Sequence, residues 1–277
     1  MLQKLTSTDA WNYHVMISWI MVALWVLFSF LGYYFNKNKK INDINKISIV
    51  LIIFSISQEV LDYLNCIFLD PNYMVSWQKD LPFHFCHIAF YFSVIVIYNK
   101  VKNSSNTKKD SNQLVFLFES AYLLGLSGAL QGIFTPDFEN IHNIIGILCG
   151  QLQHSLIILN VFWLMFAYDM RLRFKGAIYT YLFVNLITPI AILLNYILGK
   201  NSNGDSANYL YVMELPKVDN VLVNFVSDKP FPDFIFYIQP LIIIYILILY
   251  IPFFIINIIK QNNFDYYIQI LHIIFSN

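Results

Sequence analysis

A cysteine and several histidines stand in surroundings that are almost wholly apolar, and chemistry would come from them. LPFHFCHIAF at 81–90 carries His84, Cys86 and His87, and GQLQHSLIIL at 150–159 carries Gln151, Gln153, His154 and Ser155. Glu59, Asp62, Asn65 and Cys66 follow one another at spacings that put them on one stripe of a helix. A thiol is a poor nucleophile until a neighbouring base takes its proton, and a carboxylate can orient that base. Cys86, His154 and Glu59 or Asp62 supply the three groups from three segments. In this reading Cys86 accepts an acyl group, His154 moves the proton, and His84 or Gln151 donates to the oxyanion. His87, Gln131, Asn185 and Gln239 are the polar residues left to meet substrate, although Gln131, Asn185, Asn195 and Gln239 also suit hydrogen bonding between helices.

Two other chemistries use the same residues. His84 and His87 share a helical face, and with His154 they would make a three-histidine zinc site with a position open for water. No HExxH or comparable tight ligand pattern accompanies them, so no metal or other cofactor is assigned. Alternatively Glu59, Asp62 and His154 would relay protons in a transporter of small solutes.

Composition decides what must position these groups. Of 277 residues 58% are hydrophobic and only 12% charged, half the charge of a soluble domain. The net charge is zero, so nucleic acid is not a partner. The chain reads as a single all-α, multi-pass domain of a cell membrane, with membrane lipids as the natural substrate and its oligomeric state left open. A span needs roughly 20 apolar residues. Runs of that kind fall near 14–35, 47–69, 78–98, 114–134, 143–167, 176–198 and 234–259 and predict a seven-helix bundle. Residues 264–275 are too short to span and suit a helix lying on the membrane surface. Alternate connections carry twelve Lys and Arg against five on the other side, which places the N-terminus outside and the C-terminus in the cytoplasm.

With that orientation the polar residues gather between the midplane and the outer leaflet. The predicted boundaries put Cys86 roughly 10 Å and His154 roughly 17 Å below the outer face. Gly128 with Gly132, and Gly146 with Gly150, form GxxxG pairs that suit close helix packing. Cys66 and Cys149 read as small packing residues, and Thr135, Pro136 and Asp137 as a helix terminus and turn.

The order LPFHFCHIAF, GALQGIFTPDF, GQLQHSLIIL and NYLYV resembles the YwaF-type bacterial integral membrane proteins over about Glu59 to Pro252. That family is distantly similar to the androgen-induced membrane hydrolases and to a mammalian transmembrane acyltransferase of ether phospholipids. Those enzymes use a nucleophilic Thr or Cys on one helix and a His on a later one. Carried over motif by motif, the resemblance implies Cys86 as nucleophile and His154 as base. The chain departs from the pattern in having His87 after the cysteine, where an acidic residue is expected. It also has IHNIIG after TPD in place of a Phe-Pro-His step, so that His142 stands in for that histidine.

Overall fold

In the computed structural model the chain folds as a succession of helices. The structure describes residues 6–104, 110–136, 138, 141–216, 218 and 221–260. In chain order the helices are α1 (Ser7–Lys37), α2 (Ile41–Leu64, continued by a π-helical turn Asn65–Leu69), α3 (Phe85–Lys102) and α4 (Asn112–Phe134). There follow α5 (Ile144–Ala167), α6 (Phe174–Leu198), a 3-10 turn Tyr209–Tyr211, and α7 (Val221–Val226), α8 (Asp233–Tyr237) and α9 (Gln239–Lys260). The surface helix expected over 264–275 lies outside the described residues.

Six of the described helices are long and apolar enough to cross a membrane: α1, α2, α4, α5, α6 and α8–α9 taken together. The protein is a multi-pass, all-α membrane protein. The seventh expected span, α3, is shorter and less apolar, because it begins at Phe85 rather than near 78 and its last turns hold Asn99, Lys100 and Lys102. Pro82 bars the α conformation at Leu81, and Asp80 ties the preceding residues into turns by accepting from Tyr73 Oη and from the Ser76 amide. α3 nevertheless runs antiparallel along α4. A methyl group placed on Gly125 would lie 3.7 Å from Ala89 Cβ and 2.5 Å from Ile157 Cγ2. Elsewhere helices outrun the apolar runs that announce them. α1 starts at Ser7 because Thr6 caps it, its hydroxyl accepting from the Asp9 amide at 3.1 Å.

α5 is the axis of the bundle, packed against α1, α2, α3 and α4. Its polar residues are spent on neighbours. Asn160 donates to Ser55 of α2 (3.2 Å) and Ser93 of α3 (3.3 Å), and the Trp163 indole donates to Ser48 (2.8 Å). Gln58 of α2 donates to the Cys149 carbonyl at 3.0 Å. At the basic end Glu119 is completely buried on α4, and Arg173, just before α6, gives it Nε (2.7 Å), Nη2 (3.0 Å) and its own amide (2.9 Å). Glu119 is an ionisable group away from the polar zone that the sequence predicts.

Candidate active site

Where α3, α4 and α5 meet, the contact of Gly125 with Ala89 and Ile157 fixes a common level. Cys86 stands three residues beyond Ala89 toward the end of the bundle opposite Arg173, His154 three beyond Ile157, and Gly128 three beyond Gly125. Each rises about 4.5 Å above that level, so all three lie at one depth. The offset expected between Cys86 and His154 disappears, because α3 begins level with the middle of α5 rather than with its first turn. Beside Gly128 a methyl group would meet nothing within 4 Å. That empty space belongs to a cavity of about 480 Å³, lined by Cys86 and His154 together with His84, Gln131, Gln151 and Gln239.

Each of these side chains is held in a definite way. Nδ1 of His154 lies 2.8 Å from the Gly150 carbonyl. A carbonyl only accepts, so Nδ1 carries the hydrogen and Nε2 of the neutral ring keeps its lone pair. The ring rests against Gly132, where a methyl group would come within 2.5 Å of Nε2. Cys86 is the second residue of α3, whose N-cap, His84, makes no capping bond through its side chain. The first-turn amides of Phe85, Cys86 and His87 have no intrahelical acceptor, and such a helix end favours negative charge developing over it. The His84 ring sits between Tyr209 and Tyr211, with centroids 5.4 and 4.9 Å away, and its Nδ1 is buried without a partner. Gln151 donates to Ser18 at 2.8 Å and Gln239 to the Ile235 carbonyl at 3.0 Å, leaving both Oε1 atoms unpaired.

The carboxylates stand elsewhere. Glu59 is buried on α2, accepting from Tyr91 Oη (2.9 Å) and Gln153 Nε2 (3.1 Å), and neither it nor Asp62 lines the cavity. The group that orients His154 is therefore a backbone carbonyl, not the expected carboxylate. A relay from Glu59 or Asp62 to His154 would have to leave the cavity. His87 and Asn185 also fall outside it; Asn185 donates back into its own helix, to the Tyr181 carbonyl at 2.9 Å. Among the described residues no three His, Cys, Asp or Glu side chains converge as a metal ion would require, so His84, His87 and His154 do not close into a zinc site. Asp137 lies outside the described residues. His142 pairs with Asp70 at 2.9 Å, tying the end of α2 to the start of α5.

Sequence reasoning passed over His14. It is buried on α1, lines the cavity, and donates Nε2–H to the Ile133 carbonyl at 2.8 Å. The apolar run near 14–35 begins at residue 14 itself, which hides a histidine on its edge. Gly128, Gly132 and Gly150 were read as packing glycines. Instead they line the cavity, one leaving it open, one making room for the imidazole and one supplying the carbonyl that orients it. Asn195, read as a link between helices, clasps the backbone of Tyr209 in the outer loop with two bonds of 3.0 and 2.8 Å. A family model described as the TMEM164 family matches residues 8–266. The chain belongs to the TMEM164 family. The matched span takes in every described residue that lines the cavity. Neither a curated protein nor a solved structure matches this family member.

Proposed function

We propose that this TMEM164-family protein is a membrane-embedded acyl hydrolase or acyltransferase of lipids, with Cys86 as nucleophile and His154 as base. The observation that carries the reading is that the one thiol and the one imidazole implied by the motifs line a single cavity at a single depth. The motif order shared with YwaF-type proteins, and through them with acyl-handling membrane enzymes, points the same way.

The chemistry runs in two halves. Nε2 of His154 takes the thiol proton as Cys86 Sγ attacks the ester carbonyl of a lipid and the carbon–sulfur bond forms. Charge gathers on the carbonyl oxygen, where the free amides of the α3 first turn and the His84 ring would meet it. The intermediate collapses with loss of the lipid alkoxide, which takes the proton from His154 and leaves a thioester on Cys86. Water, or the hydroxyl of a second lipid, then attacks the thioester while His154 takes its proton. The departing sulfur regains that proton. Water gives hydrolysis and a lipid hydroxyl gives transfer. The hydrogen bond from Nδ1 to Gly150 leaves the Nε2 lone pair free to take and return the proton in both halves.

The test uses the full chain in lipid nanodiscs with a phospholipid labelled in its acyl chain. Wild type is expected to form a hydroxylamine-sensitive acyl adduct that Cys86→Ala lacks, and His154→Ala should slow turnover about 10²–10⁴-fold. Normal turnover by both variants, folded as wild type, would overturn the reading.

A further inference from the structure

Among the described residues that line the cavity there is no Asp, Glu, Lys or Arg. Polarity is also divided along the membrane normal. His14, His84, Cys86, Gln131, Gln151 and His154 stand among apolar residues such as Phe85, Leu210 and Ile238 in the outer part, whereas the inner part is walled by Leu123, Leu124, Val184, Tyr245, Ile246 and Leu249, with Thr180 at its end.

The inner part has a closed end. Thr180 of α6 reaches Ser120 of α4, oxygen to oxygen at 3.1 Å, and both are buried. Beside them Tyr122 donates to the Leu249 carbonyl at 3.0 Å and packs edge-on to Phe253 with centroids 5.1 Å apart. Ser120 lies eight residues inward of Gly128, which shares its level with the thiol. At 1.5 Å per residue the inner limb is about 12 Å deep. A saturated chain advances about 1.3 Å per carbon, the projection of a bond near 1.5 Å, so the limb holds roughly nine carbons beyond the reacting carbonyl.

We infer that this inner limb is the acyl-chain pocket of the site and that Thr180 and Leu249, at its closed end, set the length of straight chain it accepts, about ten carbons in all. The inference rests on the reading of Cys86 as the acyl acceptor but is measured without turnover. Hydrocarbon gains little on moving from lipid tails into an apolar pocket, so a fitting chain binds with nearly the same lipid-phase affinity whatever its length. A chain too long for the pocket overpacks it at a cost corresponding to about a tenfold loss of affinity.

The experiment is displacement of tritiated methyl octanoate from the full chain in nanodiscs by saturated methyl esters from hexanoate to palmitate, with concentrations taken in the lipid phase. It is run on wild type and on Cys86→Ala. Affinity should hold constant to about ten carbons and then fall about tenfold within two more. Leu249→Ala should move the break two or three carbons longer, and Val184→Phe should move it shorter. An affinity with no break through palmitate, or one break common to all variants, would overturn the pocket. Ester turnover in the same samples judges Cys86 separately: full activity in Cys86→Ala defeats the thiol mechanism while leaving the binding profile to decide the pocket.

Discussion

At the scale of single residues, glycine does as much for the site as the groups that would react. His154 can lie where it does because position 132 has no side chain, and its tautomer is fixed because Gly150 presents a carbonyl four residues back. Gly132→Ala would set a methyl group against the ring edge at 2.5 Å and turn the imidazole away. It is expected to lower kcat about 10²-fold with the fold intact, measured as lipid turnover beside the thermal midpoint. Gly128→Ala is its control, since that methyl group enters open space. It should leave stability equal or raised by up to about 1 kcal/mol and turnover within a few-fold. Equal losses in the two variants would mean that Gly132 serves packing alone. Four-residue glycine spacing is legible in the sequence, but the same spacing serves helix contact and cavity alike. Only the neighbouring atoms distinguish the two.

At the scale of elements, two devices hold the cavity's ends. The inner one is the pair of Glu119 with Arg173, which joins α4 to the start of α6 and fits because a side chain at Gly176 would run into the Glu119 carboxylate. Arg173→Met would leave a buried carboxylate with only the Arg173 amide and should cost about 3 kcal/mol. Adding Glu119→Leu should return most of that stability, because an apolar pair replaces a broken ionic one. Thermal unfolding of the single and double variants checks this. The outer device is the roof around Tyr209, completely buried, whose hydroxyl donates to the Trp77 carbonyl (2.7 Å) and accepts from the Leu81 amide (2.8 Å). The two residues after it, Leu210 and Tyr211, line the cavity with positive φ, a strained conformation for residues other than glycine. Burial pushes the Tyr209 phenol up to about 12. Its contribution is therefore complete below the ordinary tyrosine value of about 10 and is lost as pH climbs toward 12. Hydrogen exchange over 76–81 is expected to stay slow at neutral pH and to accelerate in Tyr209→Phe.

At the scale of the whole molecule the number of bilayer crossings turns on α3. Six helices satisfy length and hydropathy, and an even number would return both termini to one side. α3 nevertheless lies antiparallel along α4 at the level of Ala89 and Gly125, and at 18 residues it is about 27 Å long, close to the hydrocarbon thickness. Tags at the two termini are expected on opposite faces, the N-terminal one outside, because the basic connections gather on the other side. Tags on the same face would mean that α3 does not cross.

The amino-acid sequence by itself determined the solvent and the class of fold. A chain this poor in charge has only lipid in which to hide its apolar surface, and uninterrupted apolar runs of span length can satisfy their backbone in hydrocarbon only as helices. The tertiary structure decided depth and partnership. Periodicity says neither where a helix begins nor at what level it packs, so it took the contact of Ala89 and Ile157 with Gly125 to bring Cys86 level with His154. Nor does spacing along one chain say what lies across a groove. Glu59 turned to Tyr91 and Gln153, and His154 to a carbonyl of its own helix, because each buried polar group takes the nearest partner that packing presents.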